Sequence, residues 1–246
     1  MGRSSCRRRE AQTAAPMIIY GRNPVHEALR GPRAVTRIWA SRGAARAPWL
    51  ADCAAITVSA EPEALQRLCG SEAHQGLCAE VEAYRYASAE ALFQGQDPLI
   101  VALDQVQDPQ NLGAIARSAE AAGVTGLVLP ERRSVEVTSA VCKASAGAVE
   151  HLAVAQTRNL ADFLAEAKGA GLWCYGADQE GPADYATMDL SGPLVLVFGS
   201  EGKGLRPRVA ASCDATVSIP LRGRVQSLSV SAAAAILIFA AARGRQ

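Results

Sequence analysis

The chain has 246 residues, 49% of them apolar and 20% charged, which suits one large folded domain or two small ones and argues against wholesale disorder. A net charge of +1 argues against a strongly basic nucleic-acid-binding domain, and 5% aromatic residues argue against a surface tiled with base-stacking rings. The charge is uneven, however: residues 1–85 carry a balance of +4 and residues 86–246 a balance of −3, and Arg outnumbers Lys 22 to 3. A basic, arginine-rich amino-terminal part permits polyanion binding, because a guanidinium forks onto phosphate.

In chain order, residues 1–16 read as a disordered basic tail, with Met17 a possible natural start. They carry no secretory signal, since MGRSSCRRRE leads into AQTAAP rather than a long apolar stretch. Residues 17–85 read as a small mixed α/β domain. It comprises a strand in MIIY, a helix opening near Asn23-Pro24, a strand in VTRIWAS, a short helix over 44–51, a strand in ITVSA, a helix in PEALQRLC closed by Gly70, and a last strand in CAEVEAY. Residues 86–97 read as a linker with at most one helical turn.

From residue 98 strands and helices alternate. PLIVALDQV, VTGLVLP, HLAVAQ, LWCYGA, PLVLVFG and ATVSIPL are strand candidates. Helices are expected over PQNLGAIARSAEAAG ending at Gly123, over 136–149, over NLADFLAEAKGAG behind an Asn159 cap, and over the final SLSVSAAAAILIFAAARG, capped at Ser227 or Ser229. The pattern predicts a mostly parallel sheet with helices on both faces and ligands beyond the carboxyl ends of the strands. The longest apolar run, residues 232–242, is too short to span a bilayer and fits a core helix.

The seven cysteines (6, 53, 69, 78, 142, 174 and 213) form no CxxC pair and are odd in number, so they support neither a zinc site nor a disulfide framework. They read as buried or incidental thiols of a reducing compartment, and the expected location is the cytoplasm. His26, His74 and His151 make no metal-spaced cluster, and no GxSxG elbow occurs.

Three loops follow apolar strands. In DQVQDPQNLGAIAR, Asn111 and Arg117 are either a helix cap and a solvated cation, or a backbone organiser and a group that holds RNA. In LVFGSEGKGL, Gly199, Gly202 and Gly204 make either a plain turn or a close backbone approach to a ligand. The Walker pattern fails there because Val197 stands at its first glycine, and GxGxxG fails too. A Glu among the glycines suits a ligand with positive charge, such as a sulfonium. In IPLRGRVQSLSVS, Arg222 and Arg224 precede a serine-rich helix start, reading either as a cap with solvated arginines or as a ligand pocket beside an RNA phosphate contact.

Together and in this order, NLGAIARSAEAAGV, LVFGSEGKGL and IPLRGRVQSLSVS resemble the three motifs of the SpoU/TrmH family of RNA ribose 2′-O-methyltransferases, within the SPOUT class. YGRNPVHEAL and HQGLCAEVEAY resemble the substrate-binding domain of its 23S ribosomal RNA guanosine-2′-O-methyltransferase branch. The resemblance covers nearly everything after Met17. It implies an α/β fold with a carboxy-terminal trefoil knot, a homodimer, S-adenosylmethionine as cofactor, ribosomal RNA as substrate, and no metal or membrane. Carried over by position, Gly199, Gly202, Ile219, Leu221, Ser227 and Leu228 would bind the cofactor. Arg117 would be the catalytic arginine, Asn111 its organiser and Glu201 a supporting acid. The third motif of the family commonly reads Ser-Leu-Asn-Val-Ser, and Ser229 stands here at the Asn position among the catalytic candidates. A transfer RNA enzyme of the same family and a non-catalytic RNA-binding relative are the alternatives. Arg22, His26, Arg37 and His74 are the candidate RNA contacts of the amino-terminal domain.

Overall fold

A computed structural model describes residues 15–51, 53, 55–225 and 227–245, so the tail expected over 1–16 lies outside the described residues up to residue 14. The amino-terminal unit contains β1 (Met17–Tyr20), α1 (Arg22–Arg30), β2 (Val35–Ala40), α2 (Pro48–Ala51), β3 (Ile56–Ser59), α3 (Pro62–Cys69) and β4 (Leu77–Val81). Its sheet has the order β1-β4-β2-β3, with β4 antiparallel to both neighbours and β2 parallel to β3. The sheet therefore mixes parallel and antiparallel pairs, within a unit that combines helices and strands as the sequence predicts.

The second unit contains β5 (Leu99–Leu103), α4 (Pro109–Ala121), β6 (Gly126–Pro130), α5 (Ser139–Ala144), β7 (Ala153–Thr157), α6 (Leu160–Gly169), β8 (Trp173–Ala177), β9 (Ala183–Asp184), β10 (Leu194–Phe198), α7 (Pro207–Ser212), β11 (Ala215–Ser218) and α8 (Val230–Ala242). The strand order is β7-β6-β5-β10-β8-β11-β9, and every neighbouring pair is parallel. All five residues of β5, of β6 and of β10 are buried, because helices cover both faces. One hydrophobic cluster joins Leu103, Leu112, Ile115, Val141 and Leu237 on the side of α4, α5 and α8; another joins Ile100, Val197, Leu164 and Val209 on the side of α6 and α7. From β5 the chain runs outward through β6 and β7, then returns to build β8 to β11 on the other side. The order thus reverses between β5 and β10, and crevices for ligands open at such reversals.

Local chemistry sets the helix ends. Asp108 Oδ1 accepts from the Gln110 N–H (2.9 Å), with Pro109 in the first turn, and Asn159 Oδ1 accepts from the Ala161 N–H (3.1 Å). Gly113 is needed for space: a Cβ there would stand 2.3 Å from the Ala144 Cβ, so it lets α4 and α5 touch. The helix expected over 136–149 shrinks to Ser139–Ala144. Thr138 caps its start, and Ala146 (φ +54°) and Gly147 (φ +89°) turn left-handed before a single 3₁₀ turn, Ala148–Glu150. The expected strand over 215–221 ends at Ser218.

The two units meet across a polar seam within the first cluster, which also contains Ile19, Val25 and Ile38. Arg33, just before β2, donates from Nε to Glu150 Oε2 (2.8 Å), from Nη2 to Glu150 Oε1, and from Nη1 to the Glu82 carbonyl (3.0 Å). Both charged side chains are buried, at 4% and 0% exposure. The Tyr84 ring lies under the Arg33 guanidinium, and the Tyr84 hydroxyl donates to the Leu152 carbonyl (3.0 Å). Between the units, Ala87 pairs with Ala155, Leu92 is buried, and Phe93 stacks on Phe163. No helix among the described residues is long and apolar enough to cross a membrane.

Candidate active site

The carboxyl ends of β8, β10 and β11 open into a cavity of about 630 Å³, closed on one side by the start of α8. Its floor is apolar, with Phe198, Val217 and Leu237. The loop after β10 supplies Gly199 to Gly204, including Glu201; the segment after β11 supplies Ile219, Leu221, Ser227 and Leu228; and Ser229, Val230 and Ala233 open α8. Thus Gly199, Gly202, Ile219, Leu221, Ser227 and Leu228, expected at the cofactor from two separate stretches of sequence, line one cavity together with Glu201 and Ser229.

The first of these loops is shaped by its glycines. Gly202 (φ +76°) and Gly204 (φ +63°) take backbone angles that side chains disfavour, and an added Cβ on either would meet nothing within 4 Å. Gly199 is different: a Cβ there would lie 2.1 Å from the Gly204 carbonyl carbon. The loop therefore folds back on its own first residue, and paired backbone bonds between Ser200 and Gly204 (3.1 and 3.0 Å) hold that closure.

Asn111 is not the cap of α4, which is Asp108. The Asn111 amide, nine-tenths buried, donates to Glu201 Oε1 at 2.8 Å and lies 3.3 Å from Asp108 Oδ2. It connects the first turn of α4 to the glycine loop after β10, across 90 residues of sequence. Arg117 stands apart: it is exposed on α4, does not line the cavity, and makes no hydrogen bond or ion pair to the described residues. Ser229 caps α8, its Oγ accepting from the Ala232 N–H (3.2 Å) and lying 3.1 Å from Ser231 Oγ. Arg222 and Arg224 are exposed in the loop before it.

The sequence reading missed one wall, the turn after β8 with Asp178, Gln179 and Glu180. An acidic run directly after an apolar strand was the available signal. With this wall the charged side chains around the cavity are Asp178, Glu180, Glu201 and Lys203, three carboxylates to one ammonium. That balance suits a ligand with net positive charge. The space, the glycine-shaped backbone, the apolar floor and the negative rim together fit a nucleoside sulfonium. Among the described residues no group of three or more His, Cys, Asp or Glu could hold a metal ion.

Of the amino-terminal candidates, Arg22 and Arg37 are exposed, and the Arg37 guanidinium lies over the Trp39 ring (5.7 Å). The His26 ring packs at a tilt against Trp49 (4.7 Å), and His74 Nδ1 accepts from the Gly76 N–H (3.0 Å), so both have local structural contacts.

The profile of the SpoU rRNA methylase family matches residues 98–239, and that of the RNA 2′-O ribose methyltransferase substrate-binding domain matches residues 18–87. YacO of Bacillus subtilis, assigned by name to the TrmH family of tRNA/rRNA methyltransferases, is 38% identical over 92% of this chain and 95% of its own. Among solved structures, the SpoU methyltransferase AviRb of Streptomyces viridochromogenes, crystallised with AdoMet, superposes with a TM-score of 0.80 at 25% identity, covering 94% of this chain and 91% of its own. An AdoMet-bound rRNA methyltransferase of Sinorhizobium meliloti gives 0.79 at 27%, covering 94% and 88%. The first profile alone spans more than half of the sequence, and the chain belongs to the SpoU rRNA methylase family.

Proposed function

We propose that this protein is an RNA methyltransferase that transfers the methyl group of S-adenosylmethionine to a ribose 2′-hydroxyl, with guanosine in 23S ribosomal RNA as the target. The observation that carries this reading is the joining of two family motifs in one sulfonium-sized, negatively rimmed cavity, tied to the third motif by the Asn111–Glu201 hydrogen bond. A match to a substrate-binding domain of RNA 2′-O ribose methyltransferases favours ribose over base as the acceptor. A ribosomal target draws support from the Sinorhizobium meliloti rRNA methyltransferase, which aligns with both units of this chain.

Bound S-adenosylmethionine supplies a methyl group already activated by its sulfonium. The protein then supplies position and charge. Backbone groups of the Gly199–Gly204 loop and of Ile219–Leu221 would hold the cofactor, and Glu201 would offset its positive charge. Asn111 fixes the Glu201 carboxylate. A guanidinium stays protonated at any working pH, so Arg117 stabilises negative charge growing on the attacking 2′-oxygen and does not act as a base. Ser229 uses its oxygen as the cap of α8 and has a single hydroxyl proton, within reach of Ser231 Oγ, where the family's Asn offers two donors.

Arg117 lies outside the cavity of its own chain and makes no hydrogen bond or ion pair to the described residues. That suits a site completed at the interface of a homodimer, and the apolar α8, which leaves Phe239 half exposed, offers a surface for one. The carboxy-terminal knot belongs to the same reading.

The test uses a property of the product. A 2′-O-methyl group prevents the 2′-oxygen from attacking the neighbouring phosphodiester, so alkali cannot cut there. After transfer of tritiated methyl to undermodified RNA and alkaline hydrolysis, label is expected in resistant dinucleotides. Label in mononucleotides would place the methyl on a base and overturn the reading.

A further inference from the structure

Asp104 stands immediately after β5 with its carboxylate completely buried, and it holds both ends of the glycine loop. Its backbone N–H donates to the carbonyl of Phe198, the last residue before the loop, at 2.7 Å. Its carboxylate accepts from Arg206, the first residue after the loop, twice: Oδ2 from the backbone N–H at 2.9 Å and Oδ1 from Nε at 2.7 Å. The seven residues 199–205 are thus an excursion pinned at entry and exit to one residue of a neighbouring strand. The first of these bonds continues the parallel β5·β10 ladder, whereas the two from Arg206 are additional to it. The Arg206 guanidinium is 44% exposed, does not line the cavity, and has no other carboxylate partner among the described residues.

We propose that Asp104 and Arg206 are positioning residues for the cofactor, acting through the glycine loop they close. A loop that binds through its backbone must have that backbone in place beforehand, or each binding event bears the cost of ordering it. The Ser200–Gly204 bonds shape the inside of the loop and Asn111 steadies Glu201, but neither fixes where the loop leaves the sheet. The bond from the Arg206 backbone N–H survives a change of side chain; the guanidinium adds the second, charge-assisted bond that sets the direction of the Asp104 carboxylate. The cofactor assignment rests on the function proposed above, whereas the closure of the loop does not.

Two arms test this with the full-length protein. In the first, amide hydrogen exchange is followed in the absence of cofactor for wild type, Arg206→Ala and Arg206→Lys. Faster exchange at Ser200 and Gly204 in Arg206→Ala is expected, with β5 and β10 unchanged and Arg206→Lys in between. In the second, calorimetric titration with S-adenosylmethionine is expected to show about a tenfold weaker Kd for Arg206→Ala, partly recovered in Arg206→Lys, while kcat at saturating cofactor stays within about twofold. Wild-type exchange and wild-type Kd in Arg206→Ala would overturn the proposal, as would a uniform loss of protection across the strands, which marks a purely structural role. If the wild-type protein binds no cofactor, the proposed function fails, and the exchange arm still supports or overturns the loop closure.

Discussion

A Cβ on residue 199 would stand 2.1 Å from backbone, and backbone cannot step aside as a flexible side chain can. Gly199→Ala is therefore expected to force the glycine loop open and weaken S-adenosylmethionine binding at least tenfold in a calorimetric titration. Overpacking of this kind costs about 1–3 kcal/mol of stability. Arg117 poses the opposite case, since none of the described residues holds it by a hydrogen bond or an ion pair. Arg117→Lys is expected to bind cofactor as wild type does and to lose most turnover, because an ammonium cannot present a planar fork; full turnover in a single-turnover methyl-transfer assay would remove the fork from the mechanism. The thiols provide a third check. Burial pushes Cys142 and Cys174 up to about 12 and Cys213 up to about 11, with nearby Glu150 or Asp214 adding to the effect. A raised thiol stays protonated, and so unreactive, until the pH approaches that value. At pH 8, iodoacetamide followed by peptide mass spectrometry is expected to leave these three unmodified in the native protein and to label them after unfolding in urea.

Among the elements, strands and caps were the most legible in sequence. Five-residue apolar runs such as LIVAL and LVLVF read as strands covered on both faces, and Asn159 as a cap, because each signal is local. Less legible was whatever depends on a partner far along the chain. Asn111 read as a possible cap because it opens a helix, yet Asp108 takes that role and Asn111 reaches a glutamate 90 residues away. The helix over 136–149 looked continuous, but it ends at Ala144, and the left-handed pair Ala146-Gly147 turns the chain into a separate 3₁₀ turn that places Glu150 opposite Arg33. Neither Arg33 nor Glu150 carried any sequence signal, since a buried ion pair across two units follows no spacing rule. Losing one member of such a pair strands the other: Glu150→Gln is expected to lower the unfolding free energy by about 3–5 kcal/mol in urea denaturation. The double change Arg33→Met with Glu150→Leu should recover most of that loss, since no charge then remains buried.

In the whole molecule, a parallel sheet whose strand order reverses between β5 and β10 brings three distant motifs to one rim, and a smaller mixed sheet is fixed against it by the Arg33–Glu150 pair and by Tyr84. Each motif alone could also be read as a turn or a cap, and the meeting of two of them in one cavity, with the third tied to it through Asn111 and Glu201, gives the site its meaning. The wall formed by Asp178 and Glu180 completes a rim whose charge favours a cation, which the glycine loop with its single glutamate only hinted at. The most direct test of the assignment incubates the protein with tritiated S-adenosylmethionine and, side by side, undermodified 23S ribosomal RNA and transfer RNA, followed by digestion to nucleosides and mass spectrometry. The expected result is 2′-O-methylguanosine in the ribosomal RNA alone; a product confined to transfer RNA, or a methyl group on a base, would contradict it.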